Sequence, residues 1–513
     1  MARILHIIDS LSGAGPTRSL RASVQYLEML GYRHQHELLT LRKPNYPPAL
    51  VRARQAGITI YQAPGKEVAS DLIAAAELVE VHYWHNPAFV EFMAGHWPAH
   101  RRIAWFHVLG RHAPQVISAE LLGAFDAVMV TSALSLELPA LTAASHLRGL
   151  VEVVPGLMEP DRLDALPAEP HDGFVVTYIG TANATKMHPD FVAMSALANI
   201  PEARFVVCGT TDPGVLEAEA ERLGVSQRFE FRGYVENIRP VLATSDVFGY
   251  PLCEDTWATS EKSLQEAMLA GIPPLVFAHG GIADIIRNGQ TGLVVKSAAE
   301  YAQALEYLYR NPGERARLGK NARACVQREF DGRRVAGRIE SLYQRLMERP
   351  RRDIPPVLED LTAAERFARY MLPADTRFHR SLHALPGRLA VTADRELAAS
   401  SAPAARGEGG IVQFRNACAG DPDLLGWSGL VLAGLGRWEQ ALFEFTRALE
   451  QPPRSWRRAW YCAVAHCRVH GRVASGNLLT AALELAASAG LEPAEFEQLS
   501  RQAGQPQPEF FPL

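Results

Sequence analysis

The sequence is poor in cysteine, in long apolar runs and in excess charge of either sign. Six cysteines in 513 residues are too few and too scattered for a disulfide framework. No run of about 18 apolar residues occurs, so the sequence predicts no transmembrane helix. A net charge of −4 argues against a nucleic-acid-binding protein, which usually carries a basic domain. The apolar start at residues 4–8 is too short for a signal peptide and is typical of a buried strand.

These absences indicate a protein of a reducing compartment. We expect a cytoplasmic location, with peripheral attachment to the inner face of the membrane left open. At roughly 100–200 residues per domain, the length predicts about three domains. A composition of 48% hydrophobic and 21% charged residues is ordinary for globular proteins.

Two successive sets of short apolar segments, separated by amphipathic stretches, occupy the first 349 residues. Strands that alternate with helices are typical of a parallel sheet covered on both faces. We therefore predict two α/β, Rossmann-like domains, at residues 1–165 and 166–349, joined by a hinge at residues 161–173 that is rich in Pro, Asp and Glu. The predicted strands are residues 4–8, 36–41, 58–62, 78–83, 103–108, 127–131 and 151–155 in the first domain, and 174–180, 203–208, 229–231, 247–252, 275–277 and 293–295 in the second.

Beyond residue 349 the pattern becomes helical. Residues 350–410 are predicted to form a partly helical linker, with a flexible end rich in Ala, Gly and Ser at 398–410. Residues 411–500 are predicted to form an all-α domain. Its segment 429–449 resembles a tetratricopeptide repeat, and a weaker copy follows about 34–35 residues later; a plain helical bundle is the alternative. Because such repeats stack into extended binding surfaces, we expect residues 411–500 to bind a protein partner or to help hold an acceptor.

The most informative stretch lies at residues 260–295. It contains Ser-Glu-Lys-Ser-Leu-Gln-Glu-Ala-Met-Leu-Ala-Gly-Ile-Pro-Pro-Leu-Val-Phe at 260–277, His-Gly-Gly at 279–281 and Gly-Gln-Thr-Gly-Leu-Val at 289–294. The order and spacing of these parts resemble the donor-site signature of retaining glycosyltransferases of the GT-B fold, the large family four, or group 1. That signature is a Glu on a helix followed by Ala-Met-Ala-x-Gly-x-Pro-Val-Val, then a Gly-Gly loop and a Gly-x-x-Gly-Leu-Val strand.

The resemblance implies that Glu266, Gly280 and Gly281 bind a nucleotide-sugar donor. One carboxylate can accept hydrogen bonds from both ribose hydroxyls, which is the role implied for Glu266. Gly280 and Gly281 have no side chains and precede a helix, so that backbone amides could approach the diphosphate. A solvated helix residue is the alternative for Glu266.

A second segment, which runs from Gly180 to Lys186, follows the first strand of the second domain. The family has Gly-Arg-x-x-x-x-Lys-Gly there. Lys186 matches the lysine, whereas Thr181, Ala182 or Asn183 occupies the arginine position. A cation aimed at the leaving diphosphate stabilises mainly the transition state, which is the catalytic and donor-binding role implied for Lys186. An ordinary surface lysine is the alternative.

The sequence also departs from the family at the residue that contacts the sugar. A second Glu usually lies eight positions before the ribose Glu, and Ala258 stands there. Glu254 and Glu261 are nearby. We predict that Glu261 substitutes for the missing carboxylate; a role at the start of the helix is its alternative.

The first domain offers further candidates. Gly13 and Gly15 follow the first strand and open a helix, and they resemble the family's Gly-Gly-Ala loop, which approaches donor and acceptor. Arg18 could meet a phosphate or an acidic acceptor, or be solvated. His107 ends a strand where the family often has a His near the donor sugar; we predict a catalytic role, with a structural role as the alternative.

Weaker candidates are His82, Trp84 and His85, which could line an acceptor pocket or pack the loop. Cys462, His466 and His470 recur every four residues on a predicted helix and could ligate zinc, or could pack a helical domain.

The sequence thus predicts a retaining glycosyltransferase without a metal or other cofactor, since residues 1–349 contain no Asp-x-Asp sequence for a divalent ion. The acceptor would be a glycan, a lipid-linked glycan or a protein, bound on the first domain. Closure about the hinge would exclude water. The alternatives are a catalytically inactive GT-B-like scaffold with helical repeats, favoured by the missing Arg and Glu, and a GT-B phosphorylase or epimerase.

Overall fold

The computed structural model describes residues 1–488 apart from residues 14, 45, 161–165, 167, 211–213, 357–359, 384–387, 453, 454 and 472. The chain forms two compact units. The first contains Met1–Trp84, Gly95–Arg111 and Ala119–Pro355. The second contains His85–Ala94, His112–Ser118 and the described residues from Pro356 onward.

Two parallel sheets form the framework of the first unit. The first sheet contains β1 (Arg3–Ile8), β2 (Gln35–Thr40), β3 (Thr59–Gln62), β4 (Leu78–Tyr83), β5 (Arg102–Phe106), β6 (Ala127–Val130) and β7 (Val151–Val153). The second contains β8 (Phe174–Ile179), β9 (Ala203–Cys208), β10 (Phe229–Gly233), β11 (Val247–Tyr250), β12 (Pro274–Phe277) and β13 (Leu293–Val295). The strand orders are β3-β2-β1-β4-β5-β6-β7 and β10-β9-β8-β11-β12-β13. All the predicted strands are confirmed to within two residues at each end, and with them the predicted pair of Rossmann-like domains.

Helices lie between most consecutive strands in the chain, and three more of the described helices of the first unit follow the last strand, β13. They are α1 (Gly15–Met29), α2 (Pro47–Gln55), α3 (Lys66–Ala75), α4 (Pro87–Met93), α5 (Ala119–Gly123), α6 (Pro139–Ala143), α7 (Phe191–Ala196), α8 (Val215–Arg222), α9 (Arg239–Ala243), α10 (Lys262–Ala270), α11 (Ile282–Ile285), α12 (Ala298–Arg310), α13 (Pro312–Glu329) and α14 (Gly332–Met347). Of these, α4 lies in the second unit.

The helix α14 packs on the first sheet, although it follows the second sheet in the chain. Its Val335, Ile339 and Tyr343 are buried in one apolar cluster with Ile4 on β1 and Trp105 on β5. The predicted boundary at residue 349 assigns α14 to the second domain by sequence order. The apolar face of α14 is instead buried against the first sheet because that sheet offers matching apolar side chains.

The second unit is helical, as predicted for the C-terminal region. Its helices after α4 are α15 (Ala363–Met371), α16 (Arg377–His383), α17 (Arg388–Ala398), α18 (Ala402–Arg406), α19 (Ile411–Ala417), α20 (Pro422–Gly434), α21 (Trp438–Glu450), α22 (Trp456–His470) and α23 (Gly476–Ser488). Consecutive helices from α20 to α23 pack on one another, as helical repeats do. Whether they are tetratricopeptide repeats stays a prediction. Residues 453, 454, 472 and 489–500 of the predicted domain lie outside the described residues.

The segment predicted to be a flexible linker, residues 398–410, is ordered in the structure. It contains α18, with Pro403 at the helix start, where proline is tolerated, and with Ala404 and Ala405 buried. The prediction of flexibility is therefore wrong, because these alanines form a buried helix. Six of the thirteen residues of the predicted hinge, 161–165 and 167, lie outside the described residues.

Among the helices of the described residues, none combines the length and the apolar character that crossing a bilayer requires.

The first sheet buries polar and charged side chains as well as apolar ones. The central strand β4 is buried at every position, including Glu80 and His82.

Gly319 on α13 tests how closely this helix packs against α10. A Cβ at Gly319 would lie 1.9 Å from the carbonyl oxygen of Gly271, the residue that ends α10. We expect Gly319→Ala to lower the free energy of unfolding by about 1–3 kcal/mol, because overpacking outweighs the better helix propensity of Ala. Denaturant unfolding measures this change.

The matched control is Gly337→Ala on α14, where a Cβ would meet no atom within 4 Å. There the substitution is expected to be neutral or to stabilise by up to about 1 kcal/mol. Equal effects of the two substitutions would contradict the packing described for α13.

Candidate functional site

Glu266 lies on α10, which follows β11 in the second sheet and is preceded by a loop at residues 256–261. The side chain is buried, with 1% of the residue exposed. The alternative interpretation, that Glu266 is a solvated helix residue, is therefore wrong. Because α10 ends at Gly271 with a φ of +83°, a conformation that favours glycine, the helix is terminated by the Gly of the motif.

The Gly-Gly loop packs directly against the loop before α10. A Cβ at Gly280 would lie 2.7 Å from the carbonyl oxygen of Ala258, and one at Gly281 would lie 2.8 Å from that of Thr259. The amide of Gly281 donates to the Ala258 carbonyl at 2.8 Å. Glycine is thus required here for close backbone packing, and Ala258, which stands where the family has a carboxylate, is buried at this contact.

Arg18, on α1 in the first domain, reaches Glu266 in the second. Its guanidinium donates to Glu266 Oε1 and also to both oxygens of Glu159, at 2.9 Å from Nε to Oε1 and 2.8 Å from Nη2 to Oε2. Arg21 donates to Glu159 as well. Burial would raise the pKa of the Glu159 carboxyl, but the hydrogen bond and charge of Arg18 outweigh it and hold that pKa well below its ordinary value.

Lys262 is the first residue of α10, one helical turn before Glu266. Its Nζ is buried and has no hydrogen-bond partner among the described residues. Burial and the positive charge of Arg18 lower the pKa of the Lys262 ammonium well below its ordinary value, against the attraction of Glu159 and Glu266. The site therefore brings together three basic side chains, those of Arg18, Arg21 and Lys262, and two carboxylates, which suits an anionic ligand.

Lys186 and Glu261, both predicted site residues, bind each other. Lys186 Nζ donates to Glu261 Oε2 at 2.7 Å, and the hydroxyl of Tyr250 donates to the same oxygen at 2.6 Å. Burial would raise the pKa of the Glu261 carboxyl, but the charge of Lys186 lowers it below its ordinary value. The pKa of Lys186 is raised, since the charge of Glu261 outweighs burial. Lys186 is thus a half-buried, paired cation and not the exposed surface lysine of the alternative interpretation.

His107 follows β5 and is 9% exposed. Its Nε2 lies 3.0 Å from His82 Nδ1, and the two rings stack with centroids 5.3 Å apart. Thr259, from the loop before α10, donates its hydroxyl to the His107 carbonyl at 3.4 Å. Burial, then the charges of His82 and Lys262, lower the pKa of His107 well below its ordinary value, so the ring is neutral at pH 7.

The structure brings most predicted residues to one place. Glu261, Glu266, Gly280 and Gly281 lie on or against α10 and its preceding loop, Lys186 binds Glu261, and His107 contacts Thr259 through its carbonyl. The glycines of the first domain lie at the start of α1, and a Cβ at Gly13 would meet the Tyr234 hydroxyl of the second domain at 2.5 Å, whereas Gly15 has open space around it.

Sequence reasoning missed Glu159, Lys262 and Tyr250. Lys262 lies four residues before Glu266, a spacing that places both on one helix face, and this signal could have identified it. No comparable local signal exists for Glu159, because its partner Arg18 is 141 residues away.

The weaker candidates are placed elsewhere. His82 is buried in the first sheet between Glu80 and His107, so it does not line an open pocket. His85 belongs to the core of the second unit, where its ring stacks on Phe414 with centroids 5.0 Å apart. On α22, His466 Nδ1 lies 2.7 Å from Ser475 Oγ, and Cys462 contacts Thr446. His466 and Cys462 thus contact different partners and do not face a common zinc position.

Because of the Lys186–Glu261 pair, we expect the free energy of unfolding to depend on pH in the acid range. A carboxyl whose folded pKa is depressed contributes stability above its unfolded pKa of about 4.3, and that contribution is lost as pH falls through the folded pKa. We expect the free energy of unfolding of the wild type to fall more steeply below about pH 4.3 than that of Glu261→Gln. Denaturant unfolding at a series of pH values measures the difference. Parallel pH profiles for the two proteins would show that the pair does not form.

Comparison with known proteins supports the assignment of this region. Residues 161–324 match the model of the family described as glycosyl transferases group 1. The putative glycosyltransferase EpsD of Bacillus subtilis is 26% identical over 199 residues, which cover 37% of this chain and 50% of that protein. The 2-deoxystreptamine glucosyltransferase of Streptomyces kanamyceticus is 27% identical over 222 residues, 39% of this chain and 56% of that protein. The chain therefore spans about half the length of the curated relatives that it matches.

Solved structures are similar in fold over two thirds of the chain. Anabaena HepE in complex with UDP and glucose superposes with a TM-score of 0.55 at 17% identity and covers 67% of this chain and all of that one. Sucrose-phosphate synthase from Thermosynechococcus elongatus gives 0.52 at 19% identity, over 68% of this chain and all of that one. The two Rossmann-like domains thus have the GT-B fold, and the second of them is similar in sequence to group 1 glycosyl transferases.

Proposed function

We propose that this protein is a retaining glycosyltransferase that moves a sugar from a nucleotide-sugar donor to an acceptor. The observation that carries the proposal is the meeting of Glu266, Lys186 and the Gly280–Gly281 loop around α10, within the segment that matches the group 1 family. HepE, which shares this fold, was solved in complex with UDP and glucose.

The donor would bind to the second domain, with its ribose on Glu266 and its diphosphate near Lys186. Arg18 donates to Glu266 Oε1 in the structure, so ribose hydroxyls that take both oxygens of Glu266 would displace Arg18 from that carboxylate. Because Arg18 also binds Glu159, it keeps one buried partner after this exchange. Because Arg18 lies on α1, donor binding in the second domain would then alter a side-chain contact of the first domain.

The chain's own cations would stabilise the leaving diphosphate, in place of a divalent metal ion. Lys186 takes the role of the family lysine. We propose that Lys262, whose buried Nζ has no hydrogen-bond partner among the described residues, takes the place of the missing family arginine, because a diphosphate bound beside it would raise its lowered pKa and hold it as the ammonium. Charge that develops on the leaving phosphate meets these cations in a site of low dielectric, where their stabilisation is largest.

The remaining assignments follow the sequence predictions. A glycan, a lipid-linked glycan or a protein would bind on the first domain near His107. The leaving phosphate would take the acceptor's proton, so that attack and departure occur on one face of the sugar and the anomeric configuration is retained. The helices of residues 411–500 would bind a partner or help to hold the acceptor.

One arrangement favours a second candidate function, a catalytically inactive scaffold with a GT-B fold. Glu266 and Lys186 are each already paired, with Arg18 and Glu261 respectively. In a scaffold these ion pairs would be permanent structural contacts. Isothermal titration with UDP, GDP, ADP and dTDP separates the two functions, because a scaffold binds none of the four at millimolar concentration.

Glu266→Gln and Lys186→Ala test the site directly. The loss of a charged hydrogen bond of about 1.5–3 kcal/mol should weaken binding of the preferred nucleotide by Glu266→Gln about tenfold or more. Loss of the cation in Lys186→Ala should lower the rate of sugar transfer about 100-fold or more. Exposed residues of the same domain provide the controls Glu221→Gln and Lys320→Ala. Near-normal binding and turnover in both site variants would refute the assignment, and NMR of the product anomer tests retention.

Lys262→Met separates ligand binding from stability. A buried ammonium with a lowered pKa opposes folding at neutral pH, so replacing it with an apolar chain of similar length should raise the midpoint of thermal unfolding. The same change should weaken nucleotide diphosphate binding, because it removes a cation from the phosphate site. Calorimetry of the free protein and titration with the nucleotide measure both effects. A variant that is more stable but binds as tightly as the wild type would show that Lys262 does not contact the phosphates.

A further inference from the structure

Three donor atoms converge inside the first sheet, on strands β1 and β4. Glu80 Oε1 lies 3.1 Å from His6 Nδ1 and 3.0 Å from His82 Nε2, and these two nitrogens are 3.3 Å apart. The three side chains are fully buried. Among the described residues, these three side chains form the group of His, Cys, Asp or Glu whose potential ligand atoms all lie close enough to hold one metal ion.

The strand pairing explains why these residues meet. His6 and Glu80 are register partners in the parallel β1–β4 pair. His82 lies two residues after Glu80, and alternate residues of a strand point to the same face. A central strand of a parallel sheet is normally apolar, so a carboxylate and an imidazole on adjacent positions of this face carry a desolvation cost that requires compensation.

The separations match those of ligands around a single metal ion. Zinc bonds of about 2.0–2.2 Å in tetrahedral geometry place neighbouring ligand atoms about 3.3 Å apart. The observed separations of 3.0–3.3 Å are close to this value. Two imidazole nitrogens and one carboxylate oxygen form a donor set that divalent transition metals prefer.

The outer atoms of the same three side chains are also held. His82 Nδ1 lies 3.0 Å from His107 Nε2, and His6 Nε2 lies 3.0 Å from His36 Nδ1. The Tyr343 hydroxyl donates to Glu80 Oε2 at 2.5 Å. Metal-ligating histidines and carboxylates characteristically have such partners, which fix the ring tautomer and direct the free lone pair at the ion.

We propose that His6, Glu80 and His82 bind one divalent transition-metal ion, zinc by its ligand preference. A set of three protein ligands leaves the fourth position to water. The ion would join β1 to β4 and, through Tyr343, would attach α14 to the first sheet. This site is made of other residues than the phosphate-binding cations of α10, so it does not depend on the proposed function, and the expected absence of a metal at the donor diphosphate is unaffected.

The first experiment measures the metal content of the full-length wild type. Protein without an affinity tag, purified without chelators, is analysed by inductively coupled plasma mass spectrometry, and we expect about one zinc ion per chain. Because the site is fully buried, the ion should be retained during dialysis and released to a chromogenic chelator when guanidinium chloride unfolds the chain. After refolding with cobalt(II), the protein should show the visible absorption of a tetrahedral cobalt site.

Substitutions then locate the ion. Glu80→Gln keeps the shape of the side chain and removes its negative charge, so metal content should fall about tenfold or more. His100 is a fully buried histidine outside the cluster, so His100→Gln is the matched control and should keep the metal. Full metal content in Glu80→Gln would overturn the proposal.

The wild type alone also decides the question if the variants do not fold. Added zinc should raise its thermal unfolding midpoint relative to protein treated with a chelator during refolding, because a ligand bound only to the folded state stabilises it. A folded wild type that takes up neither zinc nor cobalt during refolding overturns the proposal and identifies the cluster as a hydrogen-bonded network of imidazoles around Glu80.

Discussion

The ion pair of Arg18 with Glu159 and Glu266 joins the two Rossmann-like domains at the candidate site. Both carboxylates and the guanidinium are largely buried, and removing one partner of a buried pair costs about 3–5 kcal/mol because the other charge is left uncompensated. Each member of this group therefore depends on the others for compensation of its charge. Under the proposed function, a donor nucleotide would offer Arg18 and Glu266 replacement partners in its phosphate oxygens and ribose hydroxyls.

The sequence departs from the family pattern in two segments of this site, the loop before α10 and the segment after β8. The loop before α10 lacks the expected carboxylate, and Ala258 there lies so close to the Gly-Gly loop that a Cβ at Gly280 would meet its carbonyl oxygen at 2.7 Å. The basic residue that the family has after β8 is missing here, and the start of α10 carries Lys262, whose Nζ is buried. Under the proposed function, Lys262 would take the place of that residue.

The first sheet contributes a second set of buried polar contacts. A row of side chains crosses its face from His36 on β2, through His6 on β1 and His82 on β4, to His107 after β5. Such networks are costly unless each member has a partner, and in this row the ring nitrogens and carboxylate oxygens contact one another. The consequence for function is that the orientation of His107, a predicted catalytic residue, is fixed by His82 within the sheet.

The sequence alone determined the two sets of strands, the helical C-terminal region and the position of the ribose-binding candidate on a helix. Apolar periodicity and turn residues are local signals, and the motif from Glu266 to Gly292 is continuous in the chain. Only the tertiary structure decided which partners these residues have. Arg18 meets Glu266 across 248 residues and Tyr343 meets Glu80 across 263, and no local pattern encodes such pairs. The packing of α14 on the first sheet and the burial of α18 were decided in the same way, by apolar surfaces that become adjacent only when the chain folds.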